Sequence, residues 1–220
     1  EALSLSPDDP SILNDTALIL QYHLNRDLDY ARELYLRAVE ESRRILEAAR
    51  SRGLALRIHA DQLGRVGAAA LAAELHAISA DHLDHVTAKD LALMRTAGTA
   101  AVLLPAVSFS MRLAYPDGRA VWDSGVTVAL ATDCNPGTAN VESMPFVISL
   151  AALNMGLTVD EAVWAATRGG ARALGFDDRG GLVPGAVGDL VVLDAPTHLH
   201  LGYRPAADIV AAVVKRGVIL

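Results

Sequence analysis

His59, His82 and Asp133 each close or directly follow a short apolar run, at positions 54–59, 77–82 and 126–132. Two imidazoles and a carboxylate brought by three separate strands to one face would supply nitrogen and oxygen donors, a set suited to a divalent metal ion. A strand-end histidine taken alone is more often a structural histidine satisfied by hydrogen bonds, so position by itself leaves both readings open. Cys134 adjoins Asp133, but no positioned base is visible near it in the sequence. It reads as a small apolar side chain rather than a nucleophile, and as the single cysteine it excludes an intrachain disulfide.

The elements that must position these residues alternate. Helical stretches at Gly67–His76, which is alanine-rich, and at Thr87–Ala97 separate apolar runs, and a further run spans Thr99–Leu104. Apolar strands alternating with helices predict an α/β fold with a parallel sheet covered by helices, either doubly wound or closed into a barrel. Polar residues at the C-terminal ends of such strands stand where barrel enzymes carry their catalytic groups.

None of the 17 glycines precedes Gly53, and the segment before it follows a different rule. Ile12, Leu13, Leu18, Ile19, Leu20 and Leu24, then Ala31, Leu34, Tyr35, Ala38, Val39, Ile45 and Leu46, recur at steps near three and four. This predicts two helices broken around Asn25–Asp29. Ala31-x3-Tyr35-x2-Ala38 resembles part of a tetratricopeptide repeat, although the first-helix Trp and Gly of that motif are missing. An ordinary amphipathic helical hairpin is the alternative.

Composition narrows the partners. An apolar fraction of 52% predicts a globular chain, and the net charge of −7, from 26 acids and 19 bases, contains no long single-sign run. That pattern gives no footprint for nucleic acid or an anionic membrane and leaves a small-molecule partner as the expectation. With no secretory or bilayer-spanning apolar segment visible, the expected location is the cytoplasm.

Three motifs carry a specific resemblance. His59-Ala60-Asp61-Gln62-Leu63, Ser79-Ala80-Asp81-His82-Leu83 and Ala131-Thr132-Asp133-Cys134-Asn135-Pro136-Gly137-Thr138 resemble, in order and spacing, the imidazolonepropionase family of metal-dependent amidohydrolases. Gly181–Gly185, then Gly188–Asp194, look like the return to that family's small β-domain, and Val213–Gly217 like its last strand. The resemblance implies the C-terminal part of a (β/α)8 barrel at 42–180 and C-terminal β-domain strands at 181–220, preceded by the helical, tetratricopeptide-like segment at 1–41.

It also implies hydrolysis of 4-imidazolone-5-propanoate to N-formimino-L-glutamate in histidine degradation, with zinc or iron. His59 and Asp133 would be metal ligands, and His82 would polarise the substrate carbonyl. Asp133 would also take a proton from the attacking water and return it to the departing ring nitrogen. Gln62, Asn135, Gly137 and Thr138 would contact substrate. Gln62 cannot act as a base, so it would orient the ring, with packing at the barrel rim as the alternative.

Members of this family carry an H-x-H motif on their first barrel strand, and nothing before Gly53 resembles it. His198-Leu199-His200, the only H-x-H present, falls in the expected β-domain as an exposed turn or edge strand, and His85 falls on a loop or helix after His82. A full barrel takes about 250 residues, so Ser42–Gly181 reads as about half of one. Open sheet edges and an uncovered apolar face are therefore expected, along with self-association and little activity from the chain alone. Two other readings compete: a helical-repeat interaction protein fused to an inactive amidohydrolase remnant, and an amidohydrolase acting on another cyclic amide.

Overall fold

The computed structural model describes residues 2–24 and 26–220. Asn25, at which the expected break between the first two helices begins, lies outside the described residues. After a short helix α1 (Ala2–Leu5), α2 (Pro10–Leu18) starts where the Asp9 carboxylate accepts the Ser11 and Ile12 N–H groups at 2.9 and 3.1 Å. Pro10 suits this first turn, where a missing N–H costs nothing. A π-helical stretch, Ile19–Leu24, follows, and then the long α3 (Leu28–Ser51).

The expected apolar spacing produces a separate small core. Leu13, Ala17 and Leu20 bury against Ala31, Leu34 and Ala38. Farther along α3, Val39, Leu46 and Ala49 pack on the main core, and Arg43 makes a two-pronged bond to Glu74 at 2.6 and 2.7 Å. The division expected after residue 41 thus falls within one continuous helix that serves both cores.

The main sheet is built from β1 (Arg57–Ala60), α4 (Ala68–Glu74), β2 (Ser79–His82), α5 (Ala88–Ala97), β3 (Ala100–Leu103), α6 (Pro105–Met111), α7 (Gly118–Asp123) and β4 (Val128–Leu130). Its order is β1-β2-β3-β4 and every pairing is parallel. The helix predicted at 87–97 is set by a capping box between Thr87 and Asp90, and Gly98 ends it at φ 77°. Asp90 is buried, bonded to Thr87 and to the Arg65 guanidinium.

All of β3 and β4 is buried, as a sheet covered on both faces requires, whereas β1 alternates: Ile58 and Ala60 are buried, Arg57 and His59 exposed. The uncovered apolar face expected of this sheet is therefore not what β1 shows. Alternation turns its apolar side chains inward and leaves polar ones outside.

Beyond β4 come α8 (Met144–Asn154), α9 (Val159–Trp164), a π-helical turn at Ala165–Gly169 and α10 (Gly170–Ala173). Gly169 lies so close to β4 that a Cβ there would stand 2.0 Å from the Val128 carbonyl oxygen. A second sheet, antiparallel in the order β5-β6-β7, comprises β5 (Leu190–Leu193), β6 (Val210–Lys215) and β7 (Val218–Ile219), with α11 (His200–Tyr203) between β5 and β6.

Two expectations change here. The chain does not end in the strand predicted at 213–217: Arg216 and Gly217, both at positive φ, turn it into β7. His198 and Leu199 form the expected exposed turn, but it leads at His200 into α11, which seats on α8 rather than on the small sheet. Leu201 and Gly202 are buried there and the Ser149 hydroxyl bonds the Leu201 carbonyl. Among the described residues no helix is long and apolar enough to cross a membrane.

Candidate functional site

Parallel pairing puts the C-terminal ends of β1, β2 and β4 on one rim, and the three residues expected there meet. The rings of His59 and His82 lie 4.0 Å apart between centroids, tilted by 34°, and His82 Nε2 is 3.8 Å from Asp133 Oδ2. The backbone is forced to achieve this. Asp61 (φ 49°), His82 (78°), Leu83 (67°) and Asp133 (49°) all adopt the left-handed region, at a cost of order 1–3 kcal/mol for a non-glycine residue. Strain gathered at one rim marks it as the functional end of the sheet.

Burial sets the proton affinities. Desolvation, then the neighbouring His59, push His82 down to about 3, so its imidazole is neutral at ordinary pH. Desolvation raises Asp133 above the usual carboxylate range, and Asp81 adds to the rise, while His59 and a hydrogen bond from Asn135 oppose it. A neutral imidazole beside a carboxylate of enhanced basicity can donate one hydrogen bond and accept one proton.

The surrounding residues divide by what they touch. Asn135 organises the loop after Asp133: its Nδ2 donates to the Asp133 carbonyl at 2.6 Å, and its Oδ1 accepts the Gly137 and Thr138 N–H groups at 2.9 and 2.8 Å. The Asn135 amide is thus engaged within its own loop, as is the Thr138 hydroxyl, 3.0 Å from Asn135 Nδ2. Gln62, half-buried, lines with His59 a cavity of about 510 Å³. His85 lies exposed on the loop before α5. His198 pairs with Asp160 of α9.

Sequence reasoning passed over two groups. Asp61, 2% exposed, accepts the N–H groups of Val66, Gly67 and Ala69 at 2.7, 2.9 and 3.0 Å and so fixes the start of α4 behind the His59 loop. Arg57 Nε donates to Ser79 Oγ at 3.0 Å, whose hydroxyl donates to Asp81 at 2.9 Å, with Arg57 Nη2 3.6 Å from the same carboxylate. The register places Arg57 beside Ser79 and His59 beside Asp81, so this network underlies the site on one face. The two-residue alternation Arg57, His59 was the signal that could have found it.

The donor types suit a divalent ion, but the set is incomplete: among the described residues no group of three or more His, Cys, Asp or Glu side chains is arranged to hold a metal. The residues present do not by themselves fit a metal centre.

The amidohydrolase family profile matches residues 18–220. The imidazolonepropionase of Mycolicibacterium smegmatis is 54% identical over 182 residues, which is 83% of this chain and 46% of that protein. The imidazolonepropionase of Streptomyces coelicolor is 52% identical over 179 residues, 81% of this chain and 46% of the relative. Among solved structures, a zinc-bound adenosine deaminase from Xanthomonas campestris superposes with a TM-score of 0.68 at 22% identity, covering 82% of this chain and 48% of that one. N-isopropylammelide isopropylaminohydrolase from Burkholderia multivorans gives 0.66 at 25%, covering 84% and 51%. These structures show a shared fold, and the chain spans about half the length of the curated relatives it matches.

Proposed function

Because the chain belongs to the amidohydrolase family, we propose that it carries the C-terminal half of an imidazolonepropionase, hydrolysing the ring of 4-imidazolone-5-propanoate to N-formimino-L-glutamate in histidine degradation. The observation that carries this reading is the meeting of His59, His82 and Asp133 at one rim, in a chain 54% identical over 182 residues to a curated imidazolonepropionase.

In this reading neutral His82 hydrogen-bonds the ring carbonyl that water attacks. Asp133 accepts the proton released as the C–O bond forms and passes it to the ring nitrogen as the C–N bond breaks. Gln62 orients the ring from the His59 side, while the loop shaped by Asn135 presents Gly137 and Thr138 toward the propionate. His59 and Asp133 are the donors this chain contributes to a divalent ion, zinc or iron. Among the described residues they do not close a metal site, and further donors would come from the portion of the relatives that this sequence does not span.

We place the barrel portion at 42–180 and the β-domain strands at 181–220, in a cytoplasmic enzyme acting on a small molecule. The decisive experiment joins the portion of the Mycolicibacterium smegmatis relative that this chain does not span ahead of residue 42 and follows the loss of 4-imidazolone-5-propanoate. The fusion should turn over, and Asp133→Asn should lower its rate by at least about a thousandfold. Hydrolysis that survives Asp133→Asn refutes the assignment. His82→Ala should keep more metal than His59→Ala at comparable loss of activity, and equal metal loss refutes the division of roles.

A further inference from the structure

A cavity of about 470 Å³ lies at the opposite end of the sheet from the rim, where Gly125–Thr127 lead into β4. Along an extended chain Thr127 and Asp133 stand about 20 Å apart, so a small molecule bound here does not reach the rim. The volume falls in the range of about 300–1,000 Å³ that small-molecule sites occupy. Two walls are indoles: Trp122 of α7 and Trp164 of α9 meet edge to face, 5.5 Å between ring centroids and 85° between planes. Both are half-buried, and neither indole N–H has a hydrogen-bond partner among the described residues.

Arg172 of α10 completes the corner. Its Cζ lies 5.4 Å from the centroid of the Trp164 ring, within the reach of about 6 Å at which a cation is drawn to a ring face. A guanidinium held over a ring keeps its forked N–H edge for a carboxylate, whose two oxygens match the fork. The remaining charges at the cavity are already engaged. Glu161 bonds Arg119 at 2.9 and 3.0 Å, and Asp160 pairs with His198. Arg172 has no hydrogen bond or ion pair among the described residues. The cavity therefore offers one unmatched positive charge beside two flat apolar walls at right angles.

We propose that this cavity is a binding site for a small planar aromatic carboxylate, separate from the rim and independent of the hydrolysis assigned there. The Arg172 fork takes the carboxylate, and the ring packs in the corner between the two indoles, where offset and edge-to-face contacts are both available. A neutral aromatic would fill the corner and leave the guanidinium unmatched. An aliphatic acid would satisfy Arg172 and leave the flat walls unused.

The sequence supplies its own reporter, because Trp122 and Trp164 are the two tryptophans of the chain. Emission under selective tryptophan excitation therefore reads this cavity alone. Benzoate titrated into the full chain should change the emission saturably, with a dissociation constant of about 1 mM or tighter. Benzamide, benzylamine and cyclohexanecarboxylate should each bind at least about tenfold more weakly, since each lacks the negative charge or the flat ring. Arg172 is exposed, so Arg172→Gln should keep the fold and weaken benzoate at least about tenfold, with Arg172→Lys falling between as a charge without the fork. Absence of a saturable change overturns the proposal, and so does benzoate binding that ignores Arg172→Gln. Benzylamine binding as tightly as benzoate also overturns it, because the carboxylates would then set the charge of the site. If the Arg172 variants fail to fold, the ranking of the four probes on the unsubstituted chain decides alone. No turnover enters the readout, so failure here leaves the reading of the rim untouched, and failure of that reading leaves this site standing.

Discussion

In the parallel sheet β3 reads Ala100–Leu103 and every side chain is buried, whereas in the antiparallel sheet Val191 and Val192 are 54% and 44% exposed, and Val218 and Ile219 65% and 72%. Both are runs of aliphatic residues. What separates them is connectivity: each parallel crossover must travel over the sheet and brings cover with it, while the β6–β7 hairpin turns back at once and brings none. A strand's apolar content sets how much it gains from being covered, and the chain path sets whether it is covered. The expectation of an exposed apolar face was sound physics assigned to the wrong sheet.

The sharpest way to break this comparison uses glycines. Gly169→Ala drives a methyl group to 2.0 Å from the Val128 carbonyl oxygen of β4, where backbone cannot yield. The variant should lose at least about 3 kcal/mol or fail to fold. Gly188→Ala, beside the small sheet, would put its Cβ 3.2 Å from the Gly217 nitrogen and should cost about 1 kcal/mol or less. Denaturant unfolding of both variants decides it, and equal losses would mean that the two sheets are equally constrained.

Next in size is truncation of strand side chains. Leu103, fully buried in β3, should cost about 2–5 kcal/mol as Leu103→Ala. Val218→Ala in β7 should lie within about 0.5 kcal/mol of the parent. A large Val218 effect in the isolated chain would reveal that the small sheet is covered in solution, and sedimentation would then show by what.

The rim of the parallel sheet adds a pH dependence of its own. His82 titrates near 3 when folded and about 6.5 when unfolded. Between these values the unfolded chain binds the extra proton, so stability is full above about pH 6.5 and falls as pH drops toward 3. Between pH 7 and 5 the loss should reach up to about 2 kcal/mol, and His82→Gln should flatten that part of the curve. A curve left unchanged by His82→Gln would place the acid sensitivity elsewhere.

Much of this was readable from residues. The alternation of apolar runs and helical stretches gave the parallel strands within a few positions, and His59, His82 and Asp133 were found because strand ends carry side chains to a common rim. Asp61 was missed because its role depends on where the chain returns at Val66–Ala69, a path that no local pattern specifies. The seat of α11 on α8 escaped notice for the same reason, since Ser149 and Leu201 are brought together only by the tertiary fold. Asn135 was read as a residue for substrate from its place in the motif, while the part its amide plays in closing the loop depends on a local turn geometry that asparagine commonly enters.

The smallest expected effect asks what fastens α3 to the main core beside α4. Two contacts are available: the Arg43–Glu74 pair, and the apolar side chains of Val39, Leu46 and Ala49 against the main core. The pair is close and two-pronged, and it holds Glu74 below the usual carboxylate range, chiefly through the hydrogen bond from Arg43. Yet Glu74 is 60% exposed, where water and salt screen the attraction and ordering two long side chains offsets much of it. Arg43→Ala should therefore cost about 0.5 kcal/mol, and less at high salt, while Leu46→Ala should cost about 1–2 kcal/mol as a partly buried aliphatic. If Arg43→Ala proved the costlier of the two, α3 would be held by charge, and its seat against α4 would loosen with ionic strength in a way that packed side chains do not.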